Sequence, residues 1–216
     1  MFIGHYAVAL GAKKFAPRTS LGTLVAGAAF LDLVWPVLVL LGLEQVKIAP
    51  GITAFTPLDF VSYPYSHSLL LGLAWGALFA GVYFARRRYL PGAIVAGLLV
   101  VSHWVLDFVS HRPDMPLTPW DDTRLGLGLW FSVPATLAVE SAMFAVGIAL
   151  YVQVAKPADG IGKWGFAAFV AFVVLIYLGA GFGPPPPSAT AVAASGLGQW
   201  LFVALAAWID RHRQTA

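Results

Sequence analysis

No cysteine occurs in the sequence, so disulfides and thiolate chemistry are both excluded. Charge is nearly as scarce. Asp, Glu, Lys and Arg make up 11% of the chain while 59% is hydrophobic, against about 25% charged residues in soluble domains. A soluble core of this size cannot hide so much apolar surface, which makes the lipid bilayer the expected solvent. The net charge of +3 comes from a few clustered basic residues, spaced as topology signals would be, and no nucleic-acid-binding surface is expected. The first apolar segment has no basic stretch ahead of it, so a cleaved signal peptide is not expected either. No internal repeat is visible.

What the chain does have is long apolar runs. Six stand out, near Leu21–Leu43, Tyr65–Ala85, Pro91–Ser110, Leu125–Val154, Trp164–Phe182 and Ala189–Ile209. Each is close to the ~20 residues that cross a bilayer as a helix, and the fourth is long enough to tilt or project. The first twelve residues, Met1–Ala12, are apolar except for His5 and too short to span. They fit a helix lying on the inner surface, or a half-helix inserted among its neighbours. The expectation is an all-α fold: a polytopic membrane helical bundle of six transmembrane helices plus a short N-terminal half-helix. Residues 1–216 form one integral membrane domain, with the candidate site in 1–140 and two further spans in 164–216.

The basic residues alternate between loops. Lys13, Lys14, Arg18, Arg86, Arg87, Arg88, Lys156, Lys163, Arg211 and Arg213 fall on one side, leaving Lys47, Arg112 and Arg124 on the other. The positive-inside rule then places both termini in the cytoplasm. The outer loop Glu44–Pro64 and the outer loop after the third span are long, and loops of that length are often functional.

Few polar residues interrupt the spans. Residues i, i+4 and i+8 share a helix face, so His103, Asp107 and His111 form one stripe at the end of the third run. Asp32 lies near the centre of the first run, His67 opens the second and Glu140 is within the fourth. An acid at the centre of a membrane helix costs ~2.5–3.5 kcal/mol on insertion scales, so such residues usually face inward and have a partner or a task. Pro36 lacks an N–H, which strips the carbonyl of residue 32 of its helical partner and suggests a kink there. An outward-opening cavity could gather Asp32, His67, His103 and Asp107, with His5 or Glu140 at its floor. Plainer readings stand beside this one. A His and an acid four apart can simply bond across a turn, His67 can be hydrated at the headgroups, and Glu140 can bond a serine on a neighbouring helix. His111 and Asp114 can be ordinary loop residues, with Arg112 favoured by the helix dipole. Gly72, Gly76 and Ala80 repeat every four residues as a helix-packing seam.

The order Gly4-His5, Leu31-Asp32, Ser66-His67-Ser68-Leu69-Leu70 and Ser102-His103-x-x-Leu106-Asp107 resembles the YdjM-like family of bacterial inner-membrane proteins, described as membrane-bound metal-dependent hydrolases. The resemblance runs from Met1 to about Glu140. It implies a bacterial cytoplasmic-membrane location and a metal held by these elements. Family members often carry two acids near the first span where this chain has Asp32 alone, and Ser110-His-Arg-Pro-Asp-Met-Pro116 replaces a Thr/Ser-rich continuation. His111 or Asp114 could substitute for the missing acid. The H-x-x-x-D element is also similar, more weakly, to zinc-dependent phospholipase C enzymes.

The expected function is hydrolysis of an ester, a phosphate ester of a lipid or amphiphile before others, through a metal-activated water. His5, Asp32, His67, His103 and Asp107 are the candidate metal ligands for one or two divalent cations, zinc first, manganese or iron as alternatives. Glu140 and His111 are candidates for general base or ligand orientation, and Arg112, Asp114 and Arg124 for substrate contacts at the mouth. The expected partners are membrane lipids. A proton- or metal-coupled transporter and a metal-stapled structural membrane protein are the alternatives, although no broken helices in repeated halves favour transport.

Overall fold

The computed structural model describes residues 1–215. It is mostly helical. In chain order the helices and strands are α1 (Ile3–Ala12), α2 (Leu21–Ala28), α3 (Phe30–Leu40), β1 (Gln45–Ile48), β2 (Leu58–Ser62), α4 (Pro64–His67), α5 (Leu69–Arg87), α6 (Leu90–Ser110), β3 (Met115–Pro116), β4 (Arg124–Leu125), α7 (Val133–Val154), β5 (Ala155–Pro157), α8 (Phe166–Phe182), α9 (Ala189–Gly196), α10 (Gln199–Asp210) and β6 (Arg213–Thr215). Among the described residues, five stretches are long and apolar enough to cross a membrane, and six if the bent pair α2–α3 is one span. The protein is a membrane protein on this evidence. The strands pair as three short antiparallel ribbons at the bundle ends, so the all-α expectation holds for the bundle and not for its loops.

The expected first span, Leu21–Leu43, is broken. α2 and α3 meet at 56°, at Ala29 and not at Pro36. The cause lies far away in sequence. The carbonyl of Ala28 accepts a hydrogen bond from His103 Nδ1 at 2.7 Å, and a side chain bonded into the helical ladder is a recognised source of kinks. Pro36 stays inside α3 with its ring against Gly196 of α9, where a Cβ would come within 2.8 Å of Pro36 Cγ.

The second run is also interrupted. Ser68 is extended and its Oγ caps α5 by accepting from Leu71 N, which leaves His67 as the last residue of the single turn α4. The helix of the fourth run, α7, begins at Val133 and not at Leu125. Leu125 belongs to β4, Gly128 has φ +74°, Leu129–Phe131 form a 3-10 turn, and Ser132 with Pro134 starts the helix. A π-type turn, Ile161–Gly165, extends the fifth span toward its start, and the sixth is two helices, α9 and α10.

Small residues set the close approaches. α5 crosses α6 at Gly76 and Gly97, where a Cβ on either would sit 2.8–2.9 Å from the other's carbonyl oxygen. α1 is buried along nearly its whole length, packed mainly on α7 and then on α2 and α6. Gly147 of α7 makes this possible, since any Cβ there would strike the backbone of Ala7. The short N-terminal helix is therefore a wedge inside the bundle, not a surface strip. At the end rich in basic residues, Asp210 of α10 gathers three segments: Lys13 Nζ at 2.8 Å, Leu21 N at 3.0 Å and Tyr151 OH at 3.1 Å.

Candidate metal centre

Four elements deliver the polar side chains to one place at the other end of the bundle. α1 supplies His5, the first turn of α3 supplies Asp32, the end of α4 supplies His67, and α6 supplies His103 and Asp107, with His111 just beyond it. Asp107 is central. Its Oδ2 lies 3.1 Å from His103 Nε2, 3.7 Å from His67 Nε2 and 3.9 Å from His111 Nε2. Its Oδ1 faces His5 Nε2 at 3.1 Å and pairs with the ammonium of Met1. Asp32 Oδ1 completes the ring, 3.6 Å from His67 Nε2 and 3.7 Å from His103 Nε2. The imidazoles of His5 and His103 stack in parallel with centroids 3.7 Å apart.

The outer nitrogens are held by other partners. His103 Nδ1 can only donate to the Ala28 carbonyl, so its proton sits on Nδ1 and Nε2 is left with a lone pair or a second proton. That Nε2 is buried with no hydrogen-bond partner and faces two carboxylates. His67 Nδ1 lies 2.7 Å from Ser66 Oγ, which donates to Glu44 Oε2 at 2.7 Å. Glu44 Oε1 is fixed by Tyr65 N and Ser66 N, at 2.9 and 2.8 Å. Burial pushes the Glu44 carboxyl above its ordinary range and outweighs the lowering by these donors. His111 Nδ1 lies 3.0 Å from Asp114 Oδ1, which also accepts from Tyr63 OH at 2.8 Å. Burial lowers the pKa of His111 and, with Asp114 beside it, raises that of Tyr63 well above its usual value.

Three imidazoles thus have Nδ1 anchored and Nε2 aimed at one carboxylate, the pattern by which outer partners orient metal-binding histidines. The donor set fits a borderline cation such as zinc, and a cation between Nε2 and the carboxylates satisfies the orphaned nitrogen of His103. Among the described residues, two groups have the compactness to hold an ion, His5–His103–Asp107 and Asp32–His67–His103. They share His103, so one imidazole nitrogen serves one ion at a time, while the two oxygens of Asp107 face the two sides.

The centre borders an apolar cavity of about 430 Å³. Asp32, His67, Asp107 and His111 reach it beside Trp35, Phe60, Trp130, Phe172 and Phe202. Asp32 is the most accessible of the ring, its side chain 24% exposed. The last two spans, expected only as further hydrophobic helices, supply part of the wall.

The remaining candidates fall elsewhere. Glu140 does not touch the imidazoles. Its Oε2 accepts from Phe2 N at 2.9 Å and Gly4 N at 3.1 Å, so it caps the start of α1 from across the bundle. Asp114 serves His111 and pairs with Arg112 Nε at 3.1 Å. Arg112 also pairs with Asp59, and Arg124 binds the carbonyl of Asp121 at 3.2 Å. Arg112 and Arg124 line a separate hollow of about 330 Å³, outside the wall of the main cavity. Glu44, Ser66 and Tyr63 were not among the expected site residues. The signal for Glu44 was its position as the single acid at the end of the first apolar run. The chain matches no family model, no curated protein and no solved structure with which it was compared.

Proposed function

We propose that the protein is a membrane-embedded metal-dependent hydrolase of the YdjM-like kind, acting on an ester of a lipid or amphiphile, a phosphate ester in the first instance. The observation that carries this reading is the convergence of His67, His103 and His111 Nε2 on Asp107, beside Asp32, in the wall of an apolar cavity. A divalent cation held there, zinc before manganese or iron, supplies Lewis-acid polarisation of the ester and acidification of a water molecule. The chain's own residues do the rest. Asp32 and the imidazoles hold the charge, while Ala28, Ser66 and Asp114 fix the ring orientations. The aromatic wall takes the apolar part of the substrate and keeps bulk water out. Asp32, being the most open of the carboxylates, is placed to accept a proton from incoming water. The inner membrane of a bacterium, with both termini on the basic side, is the location this reading carries with it.

Elemental analysis of purified wild type beside His103→Ala tests the metal. Turnover of a chromogenic phosphodiester, lost in Asp32→Asn and His103→Ala, tests the chemistry. Metal bound without any esterase or phosphodiesterase activity points to a staple and overturns the hydrolase. One observation favours transport. Two interrupted spans pack on each other, α3 on α9 and α2 on α10, and broken helices at mid-membrane mark ion pathways in transporters. Metal uptake into vesicles without hydrolysis would select that second reading.

A further inference from the structure

The opposite end of the bundle carries ten of the thirteen basic residues, and two of them share a hollow. Arg18, Ser20, Thr23, Tyr83, Arg87 and Tyr89 enclose about 260 Å³ between the start of α2 and the end of α5. Its surfaces are fixed by the fold. The Arg18 guanidinium lies 4.7 Å from the centroid of the Tyr89 ring. Tyr83 OH bonds Thr19 Oγ1 at 2.8 Å, and Ser20 Oγ bonds Thr23 Oγ1 at 2.9 Å. Neighbouring cations are already engaged: Lys13 with Asp210, and Arg213 with the carbonyls of Ala155 and Gly162. Among the described residues no carboxylate pairs with Arg18, Arg86 or Arg87.

A second hollow, of about 430 Å³, continues from the first and shares Thr23, Tyr83 and Arg87 with it. Its far wall is apolar: Phe30, Leu78, Phe79 and Val82. Leu78 and Val82 are exposed on the outer surface of α5, where lipid is the solvent. Polarity therefore runs in one order along the groove, cations and hydroxyls at the membrane boundary and aromatic and aliphatic side chains deeper in. From Arg87 to Leu78 is nine residues of helix, or ~13 Å at 1.5 Å per residue. That matches one leaflet's share of a hydrocarbon core of about 30 Å.

We propose that this groove binds one anionic phospholipid. Its phosphate lies between Arg18 and Arg87 with the Ser20 and Thr23 hydroxyls beside it. One acyl chain runs along Phe30, Phe79 and Val82. Charge complementarity selects an acidic headgroup over a zwitterionic one, since basic pockets between membrane helices favour acidic lipids. The site is independent of the metal centre and stands whether or not the protein is a hydrolase.

The test is native mass spectrometry of the full-length protein, released from micelles containing equal phosphatidylglycerol and phosphatidylcholine. Wild type should retain phosphatidylglycerol selectively. Arg18→Gln/Arg87→Gln should lower that retention roughly tenfold or more, from the loss of two surface cations. Lys163→Gln/Arg211→Gln removes the same charge elsewhere on that face and should leave it unchanged. Equal loss in both double variants would mean a diffuse charge effect and overturn the site, as would full retention in Arg18→Gln/Arg87→Gln. Displacement of the lipid by millimolar inorganic phosphate would show a free-anion site and overturn the lipid. All four exchanged residues, Arg18, Arg87, Lys163 and Arg211, are exposed, and elution as a single species on size exclusion verifies each variant before measurement.

Discussion

Replacing Ser66 by alanine removes one oxygen and disconnects two buried groups. His67 Nδ1 loses its acceptor at 2.7 Å, and Glu44 Oε2 loses its donor at 2.7 Å. All three residues are buried, so water does not readily replace the hydroxyl. Glu44 keeps its two backbone donors, and α4 should still form. The imidazole of His67, no longer held, is free to rotate its Nε2 away from Asp107 and Asp32. Loss of an outer partner of this kind typically costs 10–100-fold in metal affinity, or about 1.4–2.7 kcal/mol. The unpaired groups should also cost about 1–3 kcal/mol of stability. A zinc titration in detergent against a competing fluorescent chelator measures the first. Thermal unfolding in excess chelator measures the second, so the two effects separate. Ser66→Thr keeps a hydroxyl at the same place and should recover most of the affinity. Metal ligands must bind deprotonated, so affinity in every variant should fall as pH drops through the imidazole range. If Ser66→Ala binds zinc within twofold of wild type while His103→Ala does not bind it, the Glu44–Ser66–His67 relay plays no part in positioning, and the argument is refuted.

His103→Ala removes the one nitrogen common to both compact donor groups and should abolish stoichiometric metal in elemental analysis, whereas Glu140→Gln, which sits apart from the imidazoles, should retain it. Asp210→Ala leaves Lys13 buried without its carboxylate and should cost about 3–5 kcal/mol, read as a lower unfolding temperature. The double variant Lys13→Met/Asp210→Leu should recover part of that loss. Gly147→Val forces α1 off α7 at Ala7 and should cost about 1–3 kcal/mol while weakening metal binding through displacement of His5. A variant with wild-type stability and metal content would refute the close contact between these helices.

Asp32, His67, His103 and Asp107 were legible in the sequence because polar groups in apolar runs are expensive, and expense marks them wherever the helices turn out to lie. Asp210 and Glu44 carried no such expense, and Glu44 was marked only by its place at the end of the first run. They lie at span ends, where water is an equally good partner on sequence alone, and only the packed structure puts Lys13 and Ser66 against them. The bend at Ala29 was illegible for a different reason: its partner, His103, is on another helix, and hydropathy runs smoothly through the break. Pro36 drew attention by its chemistry, yet α3 absorbs it. The late start of α7 was written in the chain. Gly126 and Gly128 interrupt the apolar run, and Ser132 before Pro134 is a helix-start signature that outweighs the hydrophobicity of Leu125–Trp130.

α1 is too short to cross a bilayer, yet acids from other helices grip it at both ends. Glu140 takes the amides of Phe2 and Gly4, and Asp107 takes His5, while Asp210 holds Lys13 just past the last turn. A helix clamped in this way cannot slide. Displacement by a single turn, about 5.4 Å, would break every one of these bonds together. Any breathing motion that admits a guest to the cavity must therefore come from its other walls, among them α8, where Tyr177 and Gly181 face Phe55, while the first helix keeps His5 in register like a peg between two stops.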